Sequence, residues 1–148
     1  MNDSRGLWRG KTTPKKNGEA FNNIWVKGDL IHSKELYYIH PFTNSINVQN
    51  ELGRFITMHE VDPSTIGECT GLPDRNGDLI FEGDIVKFRD WHKGSWCWIG
   101  TVHYVNQGFI VSGDPNEECD TPFTVSMSGF ASKSVEIIGN IHDNPELL

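Results

Sequence analysis

Several things are missing from this sequence. No apolar run approaches the roughly 18 residues a helix needs to cross a bilayer. The first sixteen residues, MNDSRGLWRGKTTPKK, hold no apolar core of the kind a secretory signal carries. Membrane and secreted classes are set aside on these grounds, and the expected location is cytoplasmic. Cysteine is scarce: Cys69, Cys97 and Cys119 form no CxxC or CxxH pair. A structural zinc site usually places two ligands close together on one turn, so three reduced thiols are the simpler reading. The six histidines stand singly, with no HxH or HxxxH. A site built from three distant histidines is the one metal arrangement left open, and no metal or cofactor is expected. Neither GxSxG, GxxxxGK[ST] nor GxGxxG occurs, so the motif-borne forms of acyl transfer and nucleotide binding are absent. Positive charge is also short. Thirteen Lys and Arg face twenty Asp and Glu, for a net charge of -7 and a pI near 5.3. That argues against a generally basic nucleic-acid coat and leaves room for a local basic patch.

Helical periodicity is missing as well: no window keeps apolar residues at i, i+3, i+4 and i+7 over three turns. What is present is β-branched and aromatic residues broken every few positions by one of 15 glycines. Many short strands joined by turns give that pattern. In the first half the strand candidates are Asn23–Lys27, Glu35–His40, Ser45–Val48 and Arg54–Glu60. In the second they are Leu79–Phe81, Ile85–Arg89, Trp96–Val105, Gly108–Ser112, Thr121–Met127 and Ser134–Asn140. Alternation in Ile85–Arg89 turns Val86 and Phe88 inward and Lys87 and Arg89 toward water. Asn76-Gly77 suits a hairpin turn with positive φ at both central residues, and Asn106-Gln107-Gly108 suits another turn. Five short antiparallel strands favour a small barrel, which removes exposed edges.

Charge divides the chain further. Residues 1–16 carry five cations (Arg5, Arg9, Lys11, Lys15 and Lys16) against Asp3 alone. They read as a basic arm, either mobile or docked on the body as a strand. Residues 17–64 form a β-rich N-terminal part and residues 65–148 the barrel. The expected fold class is mainly β: a small SH3-like barrel in the C-terminal half with a β-rich N-terminal part packed on it.

Two segments carry a family resemblance. Glu68–Val86, with Thr70-Gly71-Leu72-Pro73-Asp74-Arg75-Asn76-Gly77 followed by Ile80-Phe81-Glu82-Gly83-Asp84-Ile85-Val86, resembles the central signature of the YopX family. Val135–Leu148, containing Glu136-Ile137-Ile138-Gly139-Asn140-Ile141 and ending Asn144-Pro145-Glu146-Leu147-Leu148, is similar to that family's closing motif. Trp25–Ile31 adds a weaker likeness. The resemblance implies an SH3-like barrel and an origin in phages, prophages or mobile elements, hence a bacterial host cell. It implies no reaction. The tryptophan-rich stretch after Arg89 departs from the pattern, as does Cys69 ahead of Thr70-Gly71.

Every motif residue has a backbone or packing reading. Gly77 and Gly83 shape corners, Asp84 accepts backbone N–H bonds, and Ile80 and Val86 are core. Asn144 and Pro145 suit the N-cap and first position of a helical turn whose Leu147 and Leu148 cap the barrel end. Glu82 and Asp84 make a carboxylate pair at a corner expected to sit in water. Asp114, Glu117, Glu118 and Asp120 read as a solvated loop without the ligand order of an EF-hand. No catalytic residue is assigned.

One stretch resists a purely structural reading. Residues 87–98 hold Trp91, Trp96 and Trp98, three of the five tryptophans, with Lys87, Arg89 and Lys93. On a regular strand Trp96 and Trp98 project to one face. They are covered by the first half of the chain, by Trp8, or by a partner. Trp91, Lys93, Trp96, Trp98 and Arg89 are the candidate binding residues. The leading functional expectation is a non-enzymatic binding or assembly module that meets a protein partner or itself. Single-stranded nucleic acid stacking on the Trp and basic surface is the alternative. A hydrolase or metal-dependent enzyme comes third, and no membrane partner is expected.

Overall fold

A computed structural model describes residues 7–13, 23–41, 48–49, 55–56, 59–89, 96–106, 108–115, 123–127 and 132–148. The protein is mainly β, and among the described residues it has strands and 3-10 turns with no α-helix. The chain falls into two compact units, Met1–Glu68 and Cys69–Leu148.

In the first unit, β1 (Trp8–Lys11) lies within the basic segment. It is followed by β2 (Trp25–Ser33), β3 (Leu36–Pro41), the short β4 (Val48–Gln49) and β5 (Phe55–Ile56), then β6 (His59–Val61). The main sheet runs β6-β3-β2-β1, and β4 pairs with β5 alone. β1 also pairs on its far side with Gly67 and Glu68, the first residues of β7 (Gly67–Pro73). Of the two readings of the basic segment, a mobile arm or a strand, residues Trp8–Lys11 form a strand, and Arg9 in it is just 8% exposed. Just past β1, Thr12 bridges Val61, flanked by bonds from Asp62 N–H to the Lys11 carbonyl and from Thr13 N–H to the Glu60 carbonyl. The 3-10 turn Pro63–Thr65 is capped by Asp62, whose side chain accepts from Ser64 N–H. Thr65 Oγ1 in turn accepts from Lys11 N–H at 2.8 Å, fastening this turn to β1.

The second unit takes the rest of β7 with β8 (Leu79–Phe81). It then builds β9 (Asp84–Arg89), β10 (Trp96–Val105), β11 (Gly108–Pro115), β12 (Phe123–Ser126) and β13 (Val135–Asn140). Strands β9 to β13 form one antiparallel sheet in the order β12-β11-β10-β9-β13, so the last strand returns beside the first. The expected closed barrel is not found: β12 and β13, at the two ends of this order, are not paired with each other among the described residues. Ile80, Val86, Phe88, Val102, Val111, Met127 and Val135 form the core, with Trp98, Leu72, Phe109 and Ile137 packed against it. Burying a side chain of the Val, Ile or Phe kind is worth about 1.5–3 kcal/mol, so this cluster is the main anchor of the unit.

Val86 and Phe88 are fully buried, as alternation predicts, whereas Lys87 and Arg89, expected to face water, are half-buried over the Trp96 ring. Val105 pairs with Gly108, and Asn106 between them has the positive φ (51°) that a tight turn needs. The earlier turn is longer than the two-residue form expected. Gly77 alone takes positive φ (86°), and Asn76 does not. The cause is Asp74, whose Oδ1 accepts from both Asn76 and Asp78 N–H and holds an open loop. Gly100 and Gly113 face each other across β10 and β11, where a Cβ would lie 2.5 Å from a backbone oxygen on either side. Only glycine permits that approach.

Two end-of-chain expectations are corrected. Asn144 occupies the N-cap position of the turn Pro145–Leu147, but its Oδ1 accepts from Asn140 N–H instead of capping the turn. Leu147 and Leu148 are 37% and 66% exposed and do not bury against a sheet end. A single 3-10 turn is too short to carry both leucines to one face.

Candidate functional site

The site begins with a register slip. On β9, Arg89 lies opposite Trp96, but the adjacent Phe88 lies opposite Trp98, so β10 carries one extra residue, Cys97, between its tryptophans. Neighbouring residues on a strand point to opposite faces, and residues directly opposite each other share a face. The bulge therefore sends Trp98 to the face of Phe88 and Trp96 to the face of Arg89. This corrects the expectation that both rings share a face, because that expectation assumed unbroken alternation.

The surroundings of the two rings agree with this. Trp98 stacks on the fully buried Phe88, centroids 5.3 Å apart at 20°, and packs on the core. Trp96 is half-buried among cations. Arg89 lies 4.4 Å, Lys87 4.8 Å and Arg75 5.5 Å from its ring centroid. An indole face attracts cations through its quadrupole, by about 0.5–1 kcal/mol each at exposed sites.

Three elements deliver these groups. Lys87 and Arg89 are two apart on β9, hence on one face. Glu136 lies opposite Lys87 on β13, and one oxygen, Oε2, meets Lys87 Nζ at 3.3 Å and an Arg75 guanidinium nitrogen at 3.4 Å. Ile99, opposite Lys87 on β10 and 39% exposed, extends the same face. Arg75 comes from the β7–β8 turn. That turn is fastened to β13 by Arg75 N–H on the Val135 carbonyl at 2.9 Å and by Ile137 N–H on Asp74 Oδ2 at 3.1 Å. The glycine and aspartate pattern of the turn thus also places Arg75 beside Trp96.

Of the five candidate residues, the structure brings Trp96 and Arg89 together and assigns Trp98 to the core. Trp91 and Lys93 lie outside the described residues, as do residues 116–120 of the acidic loop. Sequence reasoning missed Arg75 as a partner of Trp96 and Glu136 as the carboxylate that pairs with Arg75 and Lys87. Lys87 was visible as a cation two residues from Arg89 on an outward face. Nothing local in the sequence points Arg75 toward a tryptophan.

Two other positions singled out in the sequence are buried in the fold. The Glu82-Gly83-Asp84 corner does not sit in water. Asp84 is 2% exposed and Oδ2 accepts from Phe81 N–H at 2.8 Å. Gly83, at φ 88°, donates to the Val102 carbonyl and accepts from Ile141 N–H, which locks the corner between strands. Cys69 is buried, and its sulfur accepts from Gly71 N–H at 3.4 Å. Among the described residues no three His, Cys, Asp or Glu converge to hold a metal ion. In the first unit a smaller version of the Trp96 arrangement recurs, with Arg9 and Lys11 at 4.7 and 5.5 Å from the Trp25 centroid.

The family model for YopX protein matches residues 19–148. The chain belongs to the YopX family. Among curated proteins no match is found. The YopX match spans both signature segments and the strands between them, including β9, β10 and β13, which carry the Trp96 face. No helix among the described residues is long and apolar enough to cross a membrane.

Proposed function

We propose that this YopX protein is a non-enzymatic binding or assembly module of phage or prophage origin, working in the bacterial cytoplasm through contact with a protein partner. The contact face is the outer side of β9, β10 and β13. The observation that carries this reading is the clamp on Trp96: three cations around a half-buried indole, two of them paired with Glu136, with Ile99 exposed on the same face of the sheet. Aromatic and arginine groups held in a fixed arrangement supply contact area and charge at low entropy cost. In this reading the second unit is SH3-like. Its five-strand order, with the fifth strand beside the first and the 3-10 turn Ser132–Ser134 leading into it, supports that assignment.

Base stacking by single-stranded nucleic acid is the competing reading, favoured by the nearness of an aromatic ring and cations. Two features weigh against it. The indole is engaged by side chains of its own unit, and the described cations of this face gather around one ring instead of lining a track for a phosphate backbone.

A photo-crosslinking amino acid at Ile99 tests the proposal in prophage-bearing cells. Protein adducts that unlabelled protein competes away are expected at Ile99 and not at Lys133, an exposed control. Adducts at Lys133 but not Ile99, or nucleic acid in place of protein at Ile99, would overturn it.

A further inference from the structure

The Trp96 face already shows which ligand chemistry suits it. Glu136 Oε2 sits between Arg75 and Lys87, so a carboxylate oxygen fits between two of the three cations. The third, Arg89, lies over the same ring, and among the described residues no carboxylate lies within salt-bridge distance of it. Its Nε is buried without a hydrogen-bond partner among the described residues. Among the described residues, three cations stand against one carboxylate in this cluster, a surplus of two positive charges. The chain as a whole carries -7.

A guanidinium fixed over an indole has its planar fork pre-oriented, and that fork matches a carboxylate in two parallel hydrogen bonds. A continuous polyphosphate would meet the cluster at one point and the acidic remainder of the chain elsewhere. A short carboxylate-bearing segment needs only the cluster, with Ile99 offering apolar contact at its side.

We infer that Arg89 is the docking point for a side-chain carboxylate of an acidic protein segment, which completes on the third cation the pairing Glu136 makes with the other two. This rests on the proposed protein-binding role of the face and names the chemistry of the partner.

The test uses the full chain and two fluorescein-labelled probes of equal net charge: a Glu-rich peptide spaced by Gly and Ser, and a short oligothymidylate. Binding is followed at low salt by anisotropy and by the indole N–H signals in 15N–1H spectra. The expected result is that the peptide binds more tightly than the oligonucleotide and shifts the Trp96 indole while leaving that of Trp98 in place. Arg89→Ala weakens the peptide about tenfold, an amount typical of one charged contact. Arg89→Glu abolishes binding, and Lys133→Glu leaves it within about twofold. Arg89→Gln replaces Arg89→Ala if the latter's spectrum shows loss of fold.

Equal weakening by Arg89→Ala and Lys133→Glu, no Trp96 shift with the peptide, or tighter binding of the oligonucleotide would each overturn the inference. If partner adducts at Ile99 persist unchanged in Arg89→Glu, the acidic-segment inference falls and the protein-binding reading stands.

Discussion

Asp74 Oδ2 accepts a hydrogen bond from Ile137 N–H at 3.1 Å, across 63 residues of sequence. The same carboxylate accepts from Asn76 and Asp78 N–H through Oδ1, and the residue is 3% exposed. One side chain thus shapes the β7–β8 turn and holds it to β13, which brings Arg75 to Trp96.

Asp74→Ala removes all three bonds at once and is expected to destabilise the protein by about 2–4 kcal/mol. Asp74→Asn keeps one acceptor oxygen and should fall between Ala and wild type. Urea unfolding of the three proteins checks the order.

The glycine pair on β10 and β11 gives a second contrast. Gly100→Ala places a Cβ 2.5 Å from the Ser112 carbonyl oxygen, and backbone cannot easily yield, so a loss of at least about 2 kcal/mol is expected. At Gly108 a Cβ meets nothing within 4 Å, and Gly108→Ala should stay within about 0.5 kcal/mol of wild type. Parallel denaturation curves decide the matter.

The two tryptophans of β10 should respond unequally. Trp98→Ala opens the core beside Phe88 and should cost about 3–5 kcal/mol. Trp96→Ala loses contacts with cations near the surface and should cost about 1–2 kcal/mol. Similar losses at both sites would contradict the split that the bulge creates.

Glu136→Gln tests the charge balance of the face. Its pairs with Arg75 and Lys87 are partly exposed, with side-chain exposures of 26%, 41% and 32% for Glu136, Arg75 and Lys87. Stability should therefore change by less than about 1 kcal/mol. Removing the one carboxylate raises the surplus positive charge, so affinity for the Glu-rich peptide should rise, and the rise should shrink with added salt. Unchanged affinity would count against an electrostatic face.

What the sequence revealed follows from the range of each signal. Alternation marked the inner and outer residues of β9, and glycine and asparagine marked the corners, because those preferences are local. Charge alone left residues 1–16 open between a mobile arm and a strand, since β1 is held through pairing with distant strands: Arg9 lies opposite both Lys27 and Gly67. The Glu82-Gly83-Asp84 corner looked solvated because its hydrogen bonds come from Val102 and Ile141, far along the chain. The Trp96 face was only half legible. Cys97 gives no local sign of being a bulge, so Trp96 and Trp98 seemed to share a face. Arg75 reaches the site only through the long-range bond that Asp74 makes.

The central claim is that Trp96 and Trp98 lie on opposite faces of one strand. Nuclear Overhauser contacts of the two indoles measure it most directly. Contacts from Trp98 to the Phe88 ring, and from Trp96 to the methylene groups of Lys87 and Arg89, are expected. Contacts from both indoles to Phe88 would contradict it.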